Sequence, residues 1–112
     1  MIQSDDLPDL VSAASAFAAL GSEQRLSVLR TIVRAGPKGL RIGELGERCG
    51  ITGSTLTHHL KFLAQAGLVN QQKQGRSVNC VAAYDRAREL SSFLLSECCA
   101  DANGKHEGHG HG

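Results

Sequence analysis

Apolar residues return at helical spacing in SEQRLSVLRTIVRAG, where Leu26, Leu29, Ile32 and Val33 fall on one face and Arg30 and Arg34 on the other. Ser22 is placed to cap this helix, and Gly36-Pro37 to stop it. Upstream, LPDLVSAASAFAAL reads as an alanine-rich helix broken at Gly21. Leu40-Arg41-Ile42 is short enough for a lone strand or an extended entry. GELGERCG then predicts a two-turn helix with Leu45 inward and Gly50 as a left-handed cap. In ITGSTLTHHLKFLAQAG, Thr52 is an N-cap candidate and Gly67 closes the helix. Leu56, His59, Leu60 and Leu63 share one face; Ser54, Thr57, His58, Lys61 and Gln65 share the opposite one. After Gly67 the period changes. Two extended runs flank Gln74-Gly75-Arg76, a hairpin with glycine at its tip and Lys73 and Arg76 beside it. DRARELSSFLLSECC predicts a last helix capped by Asp85, with Ala87, Leu90, Leu94 and Cys98 in one stripe. The end, ADANGKHEGHGHG, holds no apolar residue beyond two alanines and reads as disordered without a ligand.

Composition narrows this to one small domain, residues 1–100, followed by a His/Gly tail, 101–112. At 41% hydrophobic and 21% charged, the chain belongs to the ordinary globular class. Three Phe, one Tyr and no Trp favour a helical core of Leu, Val, Ile and Ala over a β-sandwich. The expected fold class is mostly α with a small β-hairpin. No run approaches the roughly 18 apolar residues of a membrane span, and no basic-then-apolar leader opens the chain. A cytoplasmic protein with no membrane partner is expected. A core this small is marginal, so a dimer sharing an apolar face would help.

The net charge of +1 hides a segregation. Residues 1–24 carry Asp5, Asp6, Asp9 and Glu23 with no Lys or Arg, whereas no acid occurs from Arg48 to Tyr84. Chance clustering on a sparsely charged surface gives such a stretch too, so charge alone decides nothing. Its position does. Two short helices joined by CGIT, then a basic-edged hairpin, is the order of a winged helix-turn-helix. The second helix of such a pair needs small polar residues outward so that it can enter a major groove. Thr52, Ser54, Thr55, Thr57 and His58 lie in or before its first two turns, where base edges are met. Lys61, Lys73 and Arg76 are candidates to neutralise phosphates. Any one of these features fits a plain solvated helix or hairpin; their coincidence with the acid-free stretch points to double-stranded DNA.

The blocks ALGSEQRLSVLRTIVRAG, ITGSTLTHHLKFLAQAGLV and QGRSVNCVAAY, covering most of positions 17–84, resemble the arsenic-repressor (ArsR/SmtB) family of bacterial transcription regulators. The resemblance implies a homodimeric winged helix with its interface on the first and last helices. It also implies a repressor that sits on operator DNA and leaves when an inducer binds. Many metal-sensing members carry Cys-x-Cys in the helix before the recognition helix. Here that helix reads GELGERCG, with Cys49 alone at its far end.

No cofactor is needed for folding, and the inducer must be sought among the thiols. Cys98 and Cys99 are adjacent, and adjacent residues of a helix point about 100° apart, too far for a disulfide. Reduced, they offer two thiolates to a soft thiophilic centre. Trivalent arsenic takes up to three sulfurs and a monoorganic arsenical two. Some arsenical-sensing members of the family carry such a vicinal pair near the end of the last helix. Where those have a third thiol a few residues later, this chain has only Lys105 and histidines. Cys80, after the wing, could supply a third sulfur, also across a dimer; Cys49 reads as packed core. The bland alternative makes Cys98 a small hydrophobe extending the Leu90–Leu94 stripe. His106, His109 and His111 could close a divalent-metal site of zinc or nickel type with the two thiols. His59 reads as a core histidine with a hydrogen-bond partner, His58 as the one facing outward.

Two other classes fit the sequence less well. Cys80 and Arg86 stand in the Cys-x5-Arg spacing of phosphatase and arsenate-reductase loops. The intervening Val81, Ala82, Ala83, Tyr84 and Asp85 include no glycine, and Asp85 would repel an oxyanion, so no enzyme is expected. A thiol- or metal-buffering protein explains ECC and the histidines but leaves the recognition helix and wing without purpose.

Overall fold

The computed structural model describes residues 7–103. Along them run α1 (Leu10–Ala19), α2 (Glu23–Ala35), β1 (Leu40–Arg41), α3 (Ile42–Cys49), α4 (Gly53–Gln65), β2 (Val69–Gln74), β3 (Ser77–Ala82), α5 (Tyr84–Leu95) and α6 (Ala100–Asn103). The architecture is a winged helix-turn-helix, mostly helical with a small antiparallel sheet in the order β1-β3-β2. Among the described residues no helix is long and apolar enough to cross a membrane.

Local chemistry sets the boundaries. Ser22 Oγ accepts the Arg25 amide at 3.3 Å and starts α2. Asp9 does the same for α1, accepting the Ser12 amide at 2.7 Å. Gly50, at φ 67°, turns the chain out of α3 in the left-handed region that favours glycine. Thr52 stands at the N-cap of α4, but its side chain makes no capping bond there.

The core is where α2, α3, α4 and the sheet meet. Val28, Leu29 and Ile32 of α2 pack with Leu45, Leu56, Leu60, Leu63, Leu68 and Cys80. The face of α2 is thus turned from the expected one: Val28 is buried while Leu26 and Val33 are exposed. The cause is tertiary, because α2 touches α3, α4 and β3 together and its buried arc centres between Leu29 and Val28. The angle between α3 and α4 depends on Gly46. A Cβ there would lie 2.7 Å from the Ile51 carbonyl oxygen, a backbone atom, and 3.3 Å from Leu56 Cδ2. Gly46→Ala is therefore expected to destabilise the fold by about 1–2 kcal/mol, overpacking outweighing the gain in helix propensity. Thermal unfolding checks this, and an unchanged or higher melting temperature would refute the tight crossing.

Four expectations for the C-terminal segment are corrected. Asp85 does not cap α5; Ala83 holds the N-cap position without a side-chain bond, and Asp85 instead pairs with Arg88 at 2.6 Å. The helix ends at Leu95, short of both cysteines. Ser96 explains this: its Oγ donates to the Phe93 carbonyl at 2.9 Å, and its amide also reaches that carbonyl, tightening the last turn. Leu94 is exposed rather than part of a buried stripe with Leu90. Residues 101–103, expected in a disordered tail, belong to the single turn of α6. His106, His109 and His111 lie outside the described residues.

Candidate nucleic-acid interface and thiol site

Every DNA-contact candidate is on the surface. Thr52, Ser54, Thr55, Thr57, His58 and Lys61 are exposed along α4, while Leu56, His59, Leu60 and Leu63 face the core. Thr57 Oγ1 donates to the Gly53 carbonyl at 3.3 Å and keeps its lone pairs for an outside donor. The wing is a β2–β3 hairpin with Gln74 opposite Ser77, so its turn is Gly75-Arg76, with Gly75 at φ 64°. Of β2 only Val69 is buried; Asn70 through Gln74 are exposed, so the strand is polar where it leaves the body. Lys73 and Arg76 stand at this tip, and neither they nor Lys61 have an ion-pair partner among the described residues. Cations without internal partners on two neighbouring elements can meet phosphate oxygens on both sides of a groove.

His59 anchors α4 from beneath. Its Nε2 lies 3.0 Å from Gln24 Oε1 of α2, which requires the Nε2-protonated tautomer and leaves Nδ1 bare, with no partner among the described residues. Burial, helped by Arg25 and His58 nearby, holds its pKa below the ordinary histidine value and keeps the ring neutral.

In the sequence Arg86 stands out only by its spacing from Cys80. It is instead a strut between three helices. From α5 its Nε donates to the Ala66 carbonyl at the end of α4 at 3.2 Å, and its Nη2 donates to Ser12 Oγ of α1 at 2.9 Å. The available signal was position: Arg86 lies one turn before buried Leu90, and an arginine on an apolar stripe needs partners. Cys80 is fully buried in β3, and burial pushes its thiol pKa up. A nucleophile needs the opposite shift, and the two residues of the Cys-x5-Arg spacing serve separate packing roles.

Cys98 and Cys99 lie in the turn between α5 and α6, both exposed. The helical separation of their side chains does not apply there. Cys99 takes φ 62°, and the two Sγ atoms converge to 3.4 Å. The contact with Cys98, first as a hydrogen bond and then through its charge, raises the Cys99 pKa. Cys49 is half-buried and donates to Thr31 Oγ1 at 3.5 Å. Among the described residues no three His, Cys, Asp or Glu side chains gather around one point. Thus the structure brings Cys98 and Cys99 together and leaves Cys80 in the core.

A recognition helix with a carboxylate-free outer face, followed by a basic wing, defines a DNA-binding protein of the winged helix-turn-helix class. The helix-turn-helix domain family matches residues 20–72. The HTH-type transcriptional regulator YceK of Bacillus subtilis is 42% identical over 77 residues, 69% of this chain and 72% of the relative. The transcriptional activator HlyU of Vibrio cholerae is 35% identical over 81 residues, 72% of each chain. The solved HlyU structure superposes with a TM-score of 0.61, covering 88% of this chain and 99% of its own. The homodimeric winged helix-turn-helix domain Mb0332 of Mycobacterium bovis, described as a possible ArsR-family regulator, shares the fold at 23% identity. Its TM-score is 0.64, over 91% of this chain and 90% of its own. The chain belongs to the ArsR family of winged helix-turn-helix transcriptional regulators.

Proposed function

We propose that the protein is a homodimeric repressor, acting in the cytoplasm, that holds operator DNA through α4 and the wing and releases it when a trivalent arsenical bridges Cys98 and Cys99. The observation that carries the inducer assignment is the 3.4 Å approach of the two exposed sulfurs. Two ligands on one centre with bonds of about 2.3 Å lie less than about 4.6 Å apart, so both sulfurs are within reach of a single bridging atom. The chemistry balances without an oxidant: each thiol hydrogen leaves with an arsenic hydroxyl as water while a sulfur–arsenic bond forms. A monoorganic arsenical needs only these two sulfurs; arsenite would take a third, for which Cys80 would have to leave the core. A divalent metal held with the tail histidines is the competing inducer, and zinc is the probe for it.

Dimerisation is supported by apolar side chains with nothing over them in one chain. Leu10 and Val11 of α1 are 71% and 79% exposed, and Leu94 and Leu95 of α5 are 66% and 67% exposed. A second copy covering both helices would bury them and set the spacing of two recognition helices. The homodimeric state of Mb0332 agrees with this.

Mobility shift on the promoter DNA of its own and adjacent genes, with and without a monoorganic trivalent arsenical, tests the whole reading. Reporter transcription from the same promoter distinguishes a repressor from an activator such as HlyU. Ser54→Ala is expected to cost about 1–3 kcal/mol per half-site on the operator and little on random DNA. Equal losses on both would remove Ser54 from base reading.

A further inference from the structure

Phe62 is an apolar side chain on the surface of the recognition helix, 40% exposed, and neither core packing nor phosphate binding accounts for it. Its ring stands perpendicular to the His58 imidazole, with centroids 4.9 Å apart at 86°. The Arg25 guanidinium lies over the Phe62 ring, 4.8 Å from its centroid. Arg25 is itself fixed, because its Nε donates to the Ala19 carbonyl at the end of α1 at 2.6 Å. A chain of contacts thus runs from α1 through Arg25 and Phe62 to His58, one turn before Phe62 on α4. No hydrogen bond from a described residue reaches the His58 ring, so its nitrogens stay open to an outside partner.

We propose that Phe62 is a positioning residue for base reading, holding the His58 imidazole in one attitude while Arg25 holds Phe62. The physical reason is conformational entropy. An exposed histidine spreads over several rotamers, and freezing it against a base edge costs affinity. A ring already held edge-to-face by an aromatic neighbour enters the groove with that cost largely met before binding. The stack therefore contributes to sequence discrimination without touching DNA itself. This inference rests on the reading of α4 as the base-reading helix, and its test separates the two.

The measurement is the ratio of operator to random-DNA affinity for the full-length protein, taken as a double-mutant cycle. His58→Ala is expected to lower that ratio about tenfold per half-site. Phe62→Ala should lower it about three- to tenfold in the natural background and by less than about twofold once His58 is alanine. Phe62→Tyr, which keeps the ring, should restore the natural ratio, and Arg25→Gln, which leaves both rings in place, should give an intermediate loss. Melting curves of each variant show that the fold persists. If Phe62→Ala lowers the ratio equally in both backgrounds, or leaves it unchanged in the natural one, the positioning role is overturned while base reading by His58 stands. If His58→Ala itself leaves the ratio unchanged, base reading by His58 falls, and the positioning role with it.

Discussion

Raising monovalent salt from 50 to 200 mM is expected to weaken operator binding by about a thousandfold. Lys61 on α4, with Lys73 and Arg76 on the wing, gives three cations per protomer whose charge is not used internally among the described residues. With each meeting one phosphate, a dimer displaces the counterions of six, and the log–log slope is about −5. Arg76→Ala removes one contact from each protomer. It should flatten the slope by about two units and lower affinity for operator and random DNA alike, because a phosphate contact carries no sequence information. Fluorescence anisotropy on both DNAs across the salt range gives the slopes. A slope near zero, or an Arg76→Ala loss confined to the operator, would contradict the phosphate assignment.

The parts of this fold that could be read from the chain are those whose cause is local. Ser22, Gly36 and Gly50 act on their own turns, and the caps they predicted are present. The wing was legible because two extended runs flank a tip glycine with Lys73 and Arg76 beside it, and α4 because Leu56, Leu60 and Leu63 return at helical spacing. What escaped has non-local causes. Leu40 pairs with Cys80 only after the chain has returned through two helices and a hairpin, so a two-residue strand became part of a three-stranded sheet. The structural role of Arg86 was not legible because its partners, Ala66 and Ser12, lie 20 and 74 residues away. The thiol site shows a subtler failure. Both cysteines were identified, but extending the helix through them set their side chains apart. One serine hydroxyl turned back on the Phe93 carbonyl, together with a left-handed Cys99, reverses that geometry.

That reversal bears on release. Adding a monoorganic trivalent arsenical to the operator complex is expected to weaken it by about 5- to 150-fold, the usual range of coupling between two sites. The Cys98→Ser/Cys99→Ser double variant should bind operator as the natural protein does and ignore the arsenical. The ligand can act only through a difference in affinity between DNA-competent and DNA-incompetent states. The thiol turn directly follows α5, and α5 is joined by Arg86 to the end of α4 and to α1. Closing a ring over Cys98 and Cys99 therefore constrains the helix that supports both the proposed dimer contact and the recognition helix. Half-sites about one helical turn apart tolerate little change in recognition-helix spacing, which turns a small shift of α5 into a large loss of binding. The pH dependence distinguishes the two inducers. Arsenical capture exchanges a thiol hydrogen and a hydroxyl for water and should vary little across neutral pH. Zinc must displace protons from thiols, and the raised pKa of Cys99 keeps its proton in place through neutral pH, so zinc affinity should rise about tenfold per pH unit for each proton lost. Cys80→Ser should leave the response to the monoorganic arsenical intact; loss of the arsenite response alone would make Cys80 a third ligand despite its burial. If the double serine variant still leaves the operator when the arsenical is added, Cys98 and Cys99 are not the sensor, and truncation after Ala100 with zinc as inducer then tests the histidine tail.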